Sequence, residues 1–401
     1  MPSTSINRSS TLSAARMSLV LLLTVLLVFP GGIAWGQTAC PNSWTTSPVA
    51  LPPPPGARTG YGLETMAAAV NNNFLYVVGG YDYQDAAFQN QVSYVGLNSN
   101  GSLGSGFTSQ NLWTDSATGQ PAQLARYLCG VVNNGYLYTI GGATNEPGAN
   151  PPEVTTNQIW FAHININGSL ANWQQASLTG TIPPALQLAA TVAVNNHLYI
   201  IGGSTATGTR WLTPSCCVVG HTYYAKIKSN GDLGQFAQGP DIPVNATYNK
   251  TGHLYKTCPV VNNGTIYVSG GENEATALQT VYYATPDPTT GSFPGSKWNQ
   301  ETGTSMLPAT DAAQAVTLVN EDIILMGGDS SGSGTNICTV YQGVVNSTSS
   351  ITWNSTNLSM LPVKVSRNAG ATNNGYIYSL GGAVAAGPTD SPAINYLHVG
   401  P

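Results

Sequence analysis

Charge is the scarcest property of this sequence. Only 7% of its 401 residues are Asp, Glu, Lys or Arg, against roughly a quarter in an average soluble domain. No Lys/Arg cluster occurs and the formal charge is -5, so nucleic acid is not an expected partner. No C-x-x-C spacing appears among the six cysteines, which removes the common structural zinc frameworks. Histidine is scarce too: His163, His197, His221, His253 and His398 are the full set. One apolar run stands out, the 13 residues Met17 to Phe29, and it falls short of the ~20 that a membrane-spanning helix needs. No later run could span a bilayer, so the mature chain is expected to lack a transmembrane segment.

Glycine (45) and proline (26) are plentiful instead. With long helix-favouring runs missing, they predict short strands joined by many turns. The apolar run sits behind Arg8 and Arg16 and precedes "PGG" and the small residues Ala34 and Gly36. A charged start, an apolar middle and a small-residue end form a secretory signal. Residues 1–36 are therefore expected to be a signal peptide and 37–401 the mature domain. Removing two arginines and no acid takes the formal charge from -5 to -7. A lipid anchor at Cys40 is the competing reading, although "QTAC" carries Gln where such signals usually hold an aliphatic residue. The expected location is secreted, periplasmic or on the cell surface. Export permits disulfides, with the pairing open among the six cysteines.

One phrase recurs along the chain. "NNGYLYTIGG" at Asn133–Gly142 returns as "NNGYIYSLGG" at Asn373–Gly382, and related phrases end at Gly80, Gly203, Gly271 and Gly328. The first glycines of the six pairs are Gly79, Gly141, Gly202, Gly270, Gly327 and Gly381, at intervals of 62, 61, 68, 57 and 54 residues. Such periods indicate an array or a propeller. The Asn-Asn-Gly step supplies the positive-φ residues of a tight hairpin turn. The next strand carries Tyr76, Tyr138, Tyr199, Tyr267, Ile324 or Tyr378 beside Leu75, Leu137, Leu198, Ile266, Ile323 or Ile377. Adjacent strand residues point to opposite faces, so this strand must be covered on both sides. An apolar run before the turn completes an inner hairpin. A third strand is rich in aromatics, as in "VSYVGL", "IWFAHI" and "TYYAKI". A fourth opens with an aromatic and ends near proline, as in Trp173 with Pro183 and Trp353 with Pro362.

Each unit thus reads as a four-stranded antiparallel sheet, and such sheets pack face to face around an axis. The Gly-Gly doublet, the Tyr before it and the downstream Trp resemble the Kelch family over residues 43–401. The fifth copy departs by losing the Tyr and the Asn-Asn turn. The resemblance implies an all-β, six-bladed β-propeller. An unattached fourth strand, "SWTTSPVALP" (Ser43–Pro52), precedes the first unit, and the sixth unit ends after its third strand, "INYLHV". Pairing them closes the ring and hides both edges.

Two places on one face could hold a ligand. The longest loops run from Gly142 to Phe161 and from Gly203 to Tyr224, 19 and 21 residues, and loops on a rigid scaffold tend to carry binding residues. Arg210 and Trp211 offer a cation and a stacking face there, and Tyr81 and Tyr83 share that side. The second place is the axial pocket. Glu64, Arg126, Gln187, Lys256 and Arg367 each precede a glycine pair by fourteen or fifteen positions, and Glu272 and Asp329 directly follow one. An acid–base pair there could move a proton or hold an anionic sugar. Otherwise these groups form an ordinary ion-pair network, and Trp211 packs under its own loop.

The leading expectation is a non-catalytic propeller, without cofactor or metal, binding a protein or glycan through its loop-rich face. The alternative is a sugar-acting enzyme, which the resemblance connects to sialic-acid mutarotases. Galactose oxidase-like propellers, also related, use copper held by Tyr and His, and no two histidines here are placed to meet at the axis. Asn-x-Ser/Thr acceptors occur at Asn100, Asn167, Asn245, Asn249, Asn263, Asn346, Asn354 and Asn357, and in so Asn-, Ser- and Thr-rich a chain most of these match by chance.

Overall fold

Two residues in left-handed conformation, the first always Asn, join the inner strands of each blade. Asn72 and Asn73 have φ of 47° and 60°, the geometry of the tight turn that matches strand twist. They join Ala67–Asn71 to Phe74–Val78, in register from Ala67↔Val78 to Asn71↔Phe74. Gln91–Gly96 and Thr108–Asn111 complete the first blade. A computed structural model describes residues 40, 43–54, 62–85, 87–112, 125–145, 153–205, 218–243, 258–273, 276–301, 310–311, 315–330, 336–384 and 390–400. The expected signal peptide lies outside them, as do Cys216 and Cys217.

Six four-stranded antiparallel sheets repeat this plan. The inner hairpins of the later blades begin at Cys129, Ala190, Cys258, Ala315 and Ala369. The sixth blade is closed by the chain's own beginning: Thr45 pairs with Tyr396 and Thr46 with Asn395. The protein is an all-β, six-bladed propeller, as the repeat and the spare strand predicted. A disulfide joins Cys40 to Cys338, tying the closing segment to blade five. The Trp44 indole donates to the Ser359 carbonyl at 2.9 Å, on the same neighbour. A thiol held in that disulfide is not available for a lipid.

The recurring phrase is the joint between blades. The Tyr76 hydroxyl donates to the Gly168 carbonyl at 2.8 Å, which lies in the turn between strands three and four of the next blade. Tyr138 reaches Gly231, Tyr199 reaches Gly291 and Tyr267 reaches Thr348 in the same way. Burial pushes these hydroxyls' ionisation up, so they stay donors. Blade five lacks the Tyr for a physical reason. The next blade takes its fourth strand from the other end of the chain, so no turn waits there for a hydroxyl. Ile324 fills the place and is fully buried. The fifth copy keeps its tight turn nonetheless, with Asn320 and Glu321 at φ of 48° and 67°. The Asn262 amide of blade four holds the Glu321 carbonyl at 2.8 Å.

The glycine pair is required by the neighbour. A Cβ on Gly141 would stand 2.5 Å from the Leu186 carbonyl of the next blade, at a φ of 59°. Gly327 meets Val365 and Gly381 meets Leu63 alike. Each pair ends the second strand, and in blades one, two, three, five and six the following residues pair with the segment preceding the first strand.

Candidate functional site

That secondary pairing fixes where the charged residues fall. In blades one, two, three and six the residue after the glycine pair faces one residue ahead of the inner strand: Tyr81 faces Glu64, Ala143 faces Arg126, Ser204 faces Gln187 and Ala383 faces Ser366. Arg367 is therefore one place further on than Glu64, Arg126 and Gln187. The fourteen-or-fifteen spacing thus spans two adjacent positions. Arg367 belongs instead with Thr65, Tyr127 and Leu188, and all four have φ of 57–58°. Left-handed backbone is uncommon for such side chains and persists where surroundings over-determine it. Main-chain hydrogen bonds do that here, running from blade to blade. Thr65 donates to Arg367, Tyr127 to Thr65 and Leu188 to Tyr127, at 3.1, 3.3 and 3.2 Å.

The one-place offset brings Arg367 to Glu64. Its Nη1 donates to Glu64 Oε2 at 2.9 Å, with Glu64 1% and Arg367 28% exposed at the side chain. Burial alone would lower the Arg367 pKa, but the charge of Glu64, with its hydrogen bond and Asp390, carries it upward. Arg126 is buried against rings. Its guanidinium carbon lies 4.5 Å from the centre of Tyr81, 4.8 Å from Tyr127 and 5.4 Å from Phe88, each a cation–π distance.

Two further acids complete the cluster. Asp390 follows the glycine pair of blade six, and its Oδ2 accepts the Tyr83 backbone N–H at 2.7 Å. Burial, reinforced by the Glu64 charge, pushes its pKa up to about 8. Asp82 is fully buried and accepts the N–H groups of Gln84 and Asp85. Burial raises its pKa in spite of those bonds. Above them stands Tyr83, 48% exposed, its ring edge-on to Tyr81 at 5.9 Å. Blades six, one and two thus gather three carboxyl groups, two guanidiniums and an exposed aromatic ring.

No family model matches the chain. Kelch domain-containing protein 3 from Homo sapiens is 26% identical over 154 residues, which is 38% of this chain. The match spans 35% of that relative's length. The solved structure of YjhT superposes with a TM-score of 0.59 at 12% identity, covering 84% of this chain and 95% of the other. The six phrases in register and the ring they build agree with both. The chain is a six-bladed β-propeller whose repeat is similar to that of Kelch proteins.

On this propeller the other expected residues are scattered or undescribed. Gln187 is buried on blade three, beside Ser204. Asp329 is buried on blade five, with its backbone paired to Asp311 and Asn336. Glu272 begins a short strand, Glu272–Asn273, facing Thr276–Ala277; its side chain lies outside the description. Arg210, Trp211 and Lys256 lie outside the described residues. Among the described residues no three His, Cys, Asp or Glu side chains form a metal-binding group, and no helix is long and apolar enough to cross a membrane. Sequence reasoning missed Asp82, Asp390, Tyr127 and Phe88. Asp82 and Tyr127 each adjoin a residue that it had selected, which was the available signal.

Proposed function

We propose that this protein is an exported, non-catalytic Kelch-type propeller that binds a protein segment or a glycan through the face carrying this cluster. One observation carries the reading: Tyr83 is 48% exposed directly over buried ionisable groups, in a chain where only 7% of residues are charged. Aromatic platforms beside polar groups suit both kinds of ligand. Export is supported by the signal pattern over residues 1–36 and by the Cys40–Cys338 disulfide, because disulfides persist in oxidising compartments. Residues 37–401 are then the working domain. Screening the mature chain against glycan and peptide arrays, beside a Tyr83→Ala variant, tests this. Loss of a specific signal in the variant, without chemical change in the ligand, is the expected result. A signal indifferent to Tyr83 would overturn it.

One observation favours a sugar-acting enzyme as the second reading. Asp390, with its pKa up at about 8, keeps its proton at neutral pH beside Glu64, and so could serve as a general acid. Conversion of a sugar by the wild type, abolished in Asp390→Asn, would replace the binding reading with this one.

A further inference from the structure

We propose that the outer rim carries a second binding site, a groove between blades one and two that takes a neutral oligosaccharide. It is separate from the face described above, since none of the cluster's residues lines it. Gln110 to Leu112 of blade one form one wall and Leu170 to Trp173 of blade two the other, around a volume of about 380 Å³. Small-ligand sites occupy roughly 300–1,000 Å³. Gln110 fixes the spacing of the walls with both ends of its amide. Its Oε1 accepts the Leu170 N–H at 2.8 Å and its Nε2 donates to the Leu170 carbonyl at 3.3 Å. Leu112 and Leu170 belong to the buried core against which Trp173 packs.

Trp173 is the exception among the aromatics that head the fourth strands. In blades three to six this residue is shut in: Phe236, Trp298, Trp353 and Trp44 are 3%, 3%, 8% and 7% exposed. The preceding blade holds two of these indoles by a carbonyl, Pro240 for Trp298 at 3.2 Å and Ser359 for Trp44 at 2.9 Å. Trp173 is only half-buried and borders the groove. The lining decides the ligand class. Its polar side chains are amides, and among the described residues it holds no Asp, Glu, Lys, Arg or His, so an ion finds no countercharge. An amide presents donors and an acceptor together, which suits the adjacent hydroxyls of a sugar. Asn111 and Asn172 are exposed, one on each wall, and Gln91 Nε2 orients the first by donating to its Oδ1 at 3.3 Å. The indole supplies the flat apolar surface on which the C–H face of a pyranose rests. An apolar ligand would strip water from the amides without replacing their hydrogen bonds. Proline-rich peptides use grooves lined by aromatic rings, and the described lining here has a single ring.

Saturation-transfer NMR and titration calorimetry on the mature chain test the groove with cellotriose, maltotriose and mannotriose, and with nonaproline as the peptide probe. At least one neutral trisaccharide is expected to bind. Ala171→Arg places a long side chain in the groove from an exposed position and is expected to abolish that binding. Asn172→Ala, also exposed, is expected to weaken it by up to about tenfold, the size of one lost hydrogen bond. Circular dichroism identifies whichever variant stays folded, and that one carries the test. Tyr83→Ala, on the other site, is expected to leave the trisaccharide bound as in the wild type. A trisaccharide lost in Tyr83→Ala but kept in Ala171→Arg would assign the sugar to the cluster's face and overturn the groove. Binding indifferent to both Ala171→Arg and Asn172→Ala, or no binding of any of the three sugars, would also overturn it. Nonaproline bound in place of the sugars, and lost in Ala171→Arg, would overturn the ligand class.

Discussion

The Tyr378 hydroxyl donates a hydrogen bond of 2.9 Å to the Gly101 carbonyl, 277 residues away along the chain. It joins the last blade to the first and is buried, with Tyr376 packed against Gly101 beside it. Removing the hydroxyl leaves a buried carbonyl without its donor. Tyr378→Phe should therefore lower unfolding stability by about 1–2 kcal/mol, measured by denaturant titration. An unchanged midpoint would mean that water already satisfies Gly101.

Blade five supplies the converse. Ile324 is fully buried where the other blades place Tyr, and its neighbour offers no turn carbonyl. Restoring the repeat with Ile324→Tyr should destabilise the protein by about 1–3 kcal/mol through overpacking and an unpaired hydroxyl. A gain in stability would show that the missing turn does not account for the missing Tyr.

Those two residues also mark how far the sequence could be read. The glycine pairs, the tight turns and the spare first strand were legible because each is a local demand: positive φ, a neighbour's carbonyl or an unpaired edge. Together they give six blades and the closure between Thr45 and Tyr396. The site was half legible. Glu64, Arg126 and Arg367 stood out by being charged in a chain short of charge. Their register did not, because Arg367 differs from Glu64 by a single residue, which a spacing of fourteen or fifteen positions blurs. Asp390 carried no signal at all. It lies in "PTDSP", an irregular loop, and only the pairing of Ala383 with Asp390 and the approach of Tyr83 bring it to the cluster. The Cys40–Cys338 bond was one of many pairings, decided by where the ring closes.

That disulfide should matter because it secures the segment that closes the ring. The closing strand has only two paired residues, Thr45 and Thr46, and the bond links positions 298 residues apart. Constraining so long a loop should contribute about 2–4 kcal/mol. Cys40→Ser is expected to lower the melting temperature, and the same variant should no longer respond to reductant. A wild-type melt that is identical with and without dithiothreitol would show that the strand and the Trp44–Ser359 contact hold the ring unaided.

Asp390 sets a pH dependence with a definite sign. Its pKa rises from 3.8 unfolded to about 8 folded, chiefly through burial and then through Glu64. Between those values the folded chain holds a proton that the unfolded chain has released. Stability from this group is therefore fully present below about pH 4 and is lost as pH climbs through about 8. The groups facing it fix that direction: Glu64 and Asp82 oppose its ionisation, while Arg367 and the Tyr83 N–H favour it without prevailing. Asp390→Asn keeps an acceptor for the Tyr83 N–H and cannot ionise. Melting temperatures of wild type and variant, measured from pH 5 to 9, should diverge, with the wild type losing stability more steeply as pH rises. Parallel curves across that range would mean that Asp390 ionises as an ordinary carboxylate and that the cluster is better solvated than its burial indicates.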